Sequence, residues 1–342
     1  MHGKIATCLC AMALAMPVRA QSATSPTRPL APADAIKLQT VTVTGPQPGP
    51  GLWKVSKGDH VLWVLGTLTP LPRHIQWQSA QVEQVISQSQ ELLEPPTAEL
   101  KMDERLFNQL ALQPSVYSAR KNPDGANLQQ VLPQEMFARW QALKQQYIGN
   151  DRGIEYWRPM LVAIKLYDKA LDSAGLTPTS EVSQTVLKLA RKHHVKRTPV
   201  IYQMVVERSH STADALKQTN LDDISCFNQT MDTIEHDLGA FTTRADAWAK
   251  GDMATLRSLS LGSRYKSCIV AVVNADFSQQ LGLHDLPERI DAAWLSAAQY
   301  ALMRNAQTFA LLPVEQALAP DGLLAKLKAD GYIVQSPDEQ GQ

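Results

Sequence analysis

Alternating apolar and polar positions first organise the chain at Leu52. "LWKVSKGDHVLWVLG" predicts two strands around Lys57-Gly58-Asp59, with Gly58 supplying the positive φ of a hairpin turn. The second strand is apolar up to Gly66 and runs into Thr67, Leu68 and Thr69, with prolines on either side of Leu71. The period then lengthens. In "SAQVEQVISQSQ", Ser79 can cap a helix whose Val82, Val85 and Ile86 share one face. "ELLEPP" predicts a short strand stopped by Pro95 and Pro96. Strand, helix and strand over about 35 residues make a βαβ unit with a parallel pair.

The middle of the chain carries mostly helical patterns. Met136, Trp140, Leu143 and Tyr147 form one stripe, and Pro159 and Gly175 bracket a second helix. "EVSQTVLKLARKHH" is a third, followed by a strand at "TPVIYQM". Ile224, Phe227, Met231, Ile234, Leu238 and Phe241 form an apolar seam on a long helix over 222–249. Further helices are expected near 252–260, 266–282 and 287–304. "QTFALLP" then predicts a strand, "PDGLLAKLKADG" a helix and "YIV" a last strand. These elements describe an α/β fold with a central mixed β-sheet flanked by helices and a large helical insert at about 134–304.

Composition narrows the class. The chain has 342 residues, 44% apolar and 19% charged, with Lys+Arg and Asp+Glu equal at 33 each. That balance leaves no nucleic-acid footprint. "MHGKIATCLCAMALAMPVRA" has a basic start, an apolar stretch and a small-residue ending, the layout of a signal peptide cut after Ala20. Its apolar stretch is too short to span a bilayer, so no transmembrane span is expected after cleavage. Residues 21–50, rich in Pro, Ser, Thr and Gly, read as a tether; the folded domain is expected over 51–336, with 337–342 as a tail. In an oxidising compartment the two remaining cysteines, Cys226 and Cys268, either pair or stay as separate buried thiols. A bridge would stabilise by about 4 kcal/mol on the chain-entropy model.

Motifs for known chemistries are sparse. The eight histidines form no HExxH pair, and no phosphate loop or GxSxG elbow is present. His193-His194 ends a basic helix, where cations complement the dipole.

Two blocks carry a family resemblance. "GLWKVSKGDHVLWVLGTLTPLP" followed by Trp77 and "VEQVISQSQELLEP" resembles the opening of the TraB/GumN family. "MRNAQTFALLPVEQALAPDGLLAKLKADGYIV" at 303–334 resembles its close, and "AWAKGDMATL" its internal W…GD…L segment. The family is grouped with Tiki-type metalloproteases and, more distantly, with erythromycin-esterase-like and ChaN-like proteins. The resemblance implies two Gly-x-x-His motifs which, with acidic residues, hold a divalent metal that activates water.

At those positions this chain has Gly66-Thr67-Leu68-Thr69 and Pro313-Val314-Glu315-Gln316, so Thr69 and Gln316 replace the histidines. The family's strand-end Glu corresponds to Glu94, a candidate catalytic residue or a surface strand end. A further acidic position aligns with Met204, and Glu207 falls three residues late. The resemblance places Gly66, Thr69, Glu94, Arg304, Asn305, Glu315 and Gln316 at a binding cleft, with Arg304-Asn305 bonding turn carbonyls beside it.

Hydroxyl and amide oxygens are weak ligands where imidazoles are expected. No cofactor is expected beyond a weakly held divalent cation, with Glu94 and Glu315 as its acidic ligands. Thr69 alternatively caps its turn. Two readings follow. The favoured one is an exported, periplasmic or secreted, catalytically degenerate relative that binds a peptide, glycan or protein partner. The other is a Tiki-like metal-dependent peptidase with oxygen ligands. Metal-free hydrolysis finds no nucleophile–base pair to support it.

Overall fold

A computed structural model describes residues 49–102, 120–206, 223–259 and 285–340. The predicted hairpin is β1 (Leu52–Lys57) and β2 (His60–Thr67), antiparallel and closed by the Lys57↔His60 pair, with Gly58 at φ 59°. The short β3 (Leu71–Pro72) follows, then α1 (Ala80–Ser87) and β4 (Glu91–Met102). The helical stretch opens with α2 (Leu128–Val131), α3 (Gln134–Tyr147) and α4 (Pro159–Ser173), then β5 (Leu176–Thr177) and α5 (Glu181–Lys192). After β6 (Lys196–Val206) come α6 (Asp223–Asp232), α7 (Leu238–Lys250), α8 (Met253–Ser258) and α9 (Leu286–Arg304). β7 (Gln307–Pro313), α10 (Val314–Leu318), α11 (Leu323–Ala329) and β8 (Ile333–Gln335) complete the order.

The fold is α/β. Six strands form a mixed sheet in the order β6-β4-β7-β2-β1-β8, and β3 pairs with β5 in a separate two-stranded ribbon. β2, β7, β4 and β6 run parallel, while β1 is antiparallel to both β2 and β8. β7 lies between β4 and β2, and Thr308 to Leu312 are all buried along it. A continuous apolar run with no alternation is what a central parallel strand requires, because both of its faces are covered. α9 packs along β2, β4 and β6, and α1 packs on α5 and β7.

The structure departs from the sequence expectation at β4. Pro95 and Pro96 do not stop the strand; they shift its register against β6 between Leu93 and Pro96. Proline has no N–H to give to a ladder. β4 pairs with β7 only as far as Leu93 and continues against β6 alone to Met102. The strand expected at "TPVIYQM" is β6, an outer strand of the central sheet that divides the helical stretch. The helix expected at 266–282 lies outside the described residues.

The seam helix over 222–249 is α6 and α7 joined through a π-helical turn, Thr233–Asp237. Phe227, Met231, Ile234, Leu238 and Phe241 are buried as predicted, whereas Ile224 is exposed. Thr230 and Thr233 donate their hydroxyls to the carbonyls of Cys226 and Gln229, four residues back, and such bonds loosen the backbone ladder at this turn. α3 packs on this helix through an edge-to-face pair of Trp140 and Phe227. Arg139 adds a fork to Asp232, Glu235 and Asn228 at 2.6, 2.5 and 2.8 Å.

Gly66 is where β2, β1 and the α7 helix meet. A Cβ there would lie 2.8 Å from the Trp53 ring and 3.1 Å from a Val314 methyl. Its carbonyl accepts a 2.7 Å hydrogen bond from the Trp248 indole, which stacks edge-on against Trp77. Gly66→Ala is therefore expected to lose about 1–3 kcal/mol, as overpacking does, read as a lower urea midpoint at unchanged slope.

Candidate functional site

β2 and β7 end level with each other: Thr67 pairs with Pro313 as their last step. Thr69 stands two residues beyond that step on one strand and Gln316 three beyond on the other, so both substituted positions leave the same C-terminal edge. In open parallel sheets that edge is where ligands gather. Thr69 is exposed, while Glu315 and Gln316 are half-buried at the start of α10. Gly322 holds the Gln316 turn in place, since a Cβ there would come within 2.2 Å of the Gln316 carbonyl oxygen. The Asp-Gly pair that marks the closing block is thus a packing requirement.

Glu94 lies on β4 one residue after its last pairing with β7. Its carboxylate receives two hydrogen bonds from Arg197 of β6, at 3.0 and 2.6 Å. Glu315 has a cation to answer as well. Arg244 of α7 is 7% exposed, and burial pulls its guanidinium below the ordinary arginine value while the charges of Asp237 and Glu315 oppose that shift. Arg244 was not singled out by motif or spacing. The only sequence signal for it is its place one turn before Trp248, the tryptophan that anchors Gly66.

These donors do not fit the divalent metal that the resemblance implies. The imidazole positions hold a hydroxyl and an amide; Glu315, beside Gln316, feels the charge of Arg244, and Glu94 on β4 is bonded to Arg197. A cation would have to compete with Arg197 and Arg244 using ligands it binds weakly. Among the described residues, no three His, Cys, Asp or Glu side chains gather into a group that could hold a metal ion. Met204 is paired with Leu100 in the β4–β6 ladder, and Glu207 lies outside the described residues.

Arg304 and Asn305 stand apart from the edge that carries Thr69. They precede β7 and so sit at the opposite end of that strand, about 20 Å away at 3.3 Å per residue. Asn305 donates to Glu91 at 2.8 Å and to Thr308 at 3.1 Å, and its carbonyl lies 2.7 Å from Nδ1 of His60. Arg304 bonds the Tyr300 hydroxyl on the exposed side of α9. Glu91 is 8% exposed and also accepts from Lys196 and Thr198. Burial pushes its carboxyl up, but the hydrogen bonds from Lys196, Thr198 and Asn305 outweigh it and hold the pKa below the ordinary value of 4.5. The cluster ties β4, β6 and β7 together at their N-terminal ends.

Two further histidines among the described residues lie elsewhere. His193 follows the last turn of α5 and meets Glu83 at 2.9 Å, and His74 is exposed beside Glu181. Cys226 is fully buried in α6, while Cys268 lies outside the described residues.

Two outcomes test this division of the sheet into two ends. Asn305→Ala should cost about 1–3 kcal/mol in denaturant unfolding by leaving buried Glu91 short of a donor, whereas Thr69→Ala should stay within about 0.5 kcal/mol. A carboxyl whose pKa is lowered by folding contributes stability above its unfolded value and loses it as pH falls through the folded one. Stability should therefore fall on acidification below pH 4.5, and Glu91→Gln should flatten that fall in urea titrations at successive pH values.

No helix among the described residues is long and apolar enough to cross a membrane. No curated protein and no solved structure matches the chain. Residues 51–336 match the model of the TraB/PrgY/gumN family, most of the chain and the whole sheet with its flanking helices, and on that match the chain belongs to the TraB/PrgY/gumN family.

Proposed function

We propose that this chain is an exported, catalytically degenerate member of its family whose sheet-edge cleft binds a peptide, glycan or protein partner. One observation carries the reading. Both positions where the family's histidines are expected hold Thr69 and Gln316; Glu315, next to Gln316, feels the charge of Arg244, and Glu94 on β4 is bonded to Arg197. A metal-activated water needs a strong Lewis acid held by strong ligands. This edge instead offers a neutral hydroxyl, a neutral amide and two charge-balanced acids. Such a set can hydrogen-bond a polar ligand without hydrolysing it.

The leader-like residues 1–20 and the Pro-rich stretch behind them support export, and the two cysteines of the mature sequence support a Cys226–Cys268 bridge in an oxidising compartment. The alternative is a divalent-metal peptidase that uses oxygen ligands, and the two readings part on metal content.

The test is elemental analysis and intact mass of native protein purified from the cell envelope. The expected protein lacks residues 1–20, is two hydrogens lighter than its dithiol form, and holds far less than one transition ion per chain. Thr69→His combined with Gln316→His should raise zinc affinity by at least about tenfold, since restoring imidazoles restores strong ligands. Native protein with one tightly held transition ion and peptide-cleaving activity would overturn the proposal.

A further inference from the structure

A second feature lies in the helical stretch and is independent of the sheet edge. Two cavities of about 310 and 410 Å³ adjoin on the α3 surface, and Gln141, Lys144 and Arg152 line both. Each volume falls within the range of small-molecule sites. One wall is a single stripe of α3, because Phe137, Gln141, Lys144 and Gln145 recur at steps of four, three and one. Across from it stand Asn127 and Gln129 at the start of α2, and Tyr156 ends the 3₁₀ turn Gly153–Tyr156.

The groove is built from fixed parts. Lys144 is ion-paired with Glu155, and the Trp140 indole donates to the other carboxylate oxygen at 3.2 Å. Both members of the pair are mostly buried, at 14% and 18% side-chain exposure. Asn127 is locked by a reciprocal capping box with Gln130, at 3.1 and 2.9 Å. Asp151 accepts from the Gly153 amide at 2.8 Å and sets the turn that carries Arg152.

The chemistry of the lining selects a ligand class. Drug-like pockets are predominantly apolar; here the larger cavity is lined mainly by polar groups, and the smaller one, which holds Phe137 and Tyr156, mainly by apolar ones. Eight of the 24 residues from 127 to 150 are Asn or Gln. A primary amide donates through nitrogen and accepts through oxygen in one plane, which matches adjacent sugar hydroxyls that do the same. Phe137 is half-buried and Tyr156 is 47% exposed, so aromatic faces are available against the C–H face of a pyranose ring. The Lys144–Glu155 pair cancels its own charge and leaves Arg152 as the single net charge among the lining residues, too little to select a polyanion.

From this we infer that the groove between α3, α2 and the 153–156 turn is a binding site for a short neutral oligosaccharide. Gln141 and Arg152 supply hydrogen bonds at its centre, Asn127 and Gln129 line the opposite wall, and the Phe137 and Tyr156 rings supply stacking. The site neither uses Thr69 or Gln316 nor depends on what the sheet edge binds.

Isothermal titration of the full mature protein with maltotetraose, cellotetraose and chitotetraose, each to about 10 mM, tests this. At least one should bind saturably with a Kd of about 1 mM or tighter. Gln141→Ala and Arg152→Gln, both at exposed positions, should weaken that binding by about five-fold or more, the equivalent of about 1 kcal/mol, with unchanged unfolding midpoints. Thr69→Ala should leave it within two-fold, and so should added salt to about 0.5 M. The inference is overturned by absence of binding to all three sugars, by binding that survives both groove substitutions, by binding that Thr69→Ala abolishes, or by binding that collapses with salt.

Discussion

The contact on which this architecture depends is the one between the Gly66 carbonyl and the Trp248 indole. It joins the end of a central strand to a helix that is 182 residues away in sequence. Both groups are buried, so each would suffer an unsatisfied polar atom without the other. Gly66 can take part only because it lacks a side chain: Trp53 and Val314 occupy the space that a Cβ would need. Trp248 is held in turn by Trp77 and by the helix end behind it. There Gly251 adopts φ 68° and Asp252 caps α8 through the Thr255 amide. The opening block, the tryptophan segment and the closing block therefore meet around one peptide group.

That convergence fixes the backbone at the edge that carries Thr69 and Gln316. The backbone that presents Thr69 is set by Gly66 and its neighbours, and the backbone that presents Gln316 is set by the close approach of Gly322. Neither constraint involves the side chain at the ligand position. Side chains at these two positions can therefore vary without disturbing the packing and the buried hydrogen bond that set the backbone.

The opposite end of the sheet shows a division of labour. Glu91, Asn305, Lys196, Thr198 and the His60 ring form a polar network that links β4, β6 and β2 to the turn before β7, and each member has a named partner. Glu91 is its buried centre, and a polar network whose buried member is satisfied is structural. It pins strand order where apolar packing alone would permit slippage. The RN pair of the closing block belongs to this end, and its adjacency in sequence to β7 conceals a separation of one full strand length from Gln316.

Much of this was legible in the chain itself. The hairpin, the apolar seam through Phe227 and Leu238, the run "QTFALLP" and the Asp-Gly start of α11 are local patterns, because burial of one face imposes a period on the residues that supply it. Thr69 and Gln316 were legible by a different route, the match of the opening and closing blocks to the family's pattern. What periodicity could not carry were pairings between distant segments: Arg197 on Glu94, Arg244 near Glu315, Asn305 on Glu91. The continuation of β4 through two prolines was also hidden, because only a neighbour on one side, β6, lets a strand run on without a full ladder. Local sequence encodes which faces are apolar and where the chain must turn. Which charges come to rest beside which acids is decided when the sheet closes, by contacts that no run of neighbouring residues contains.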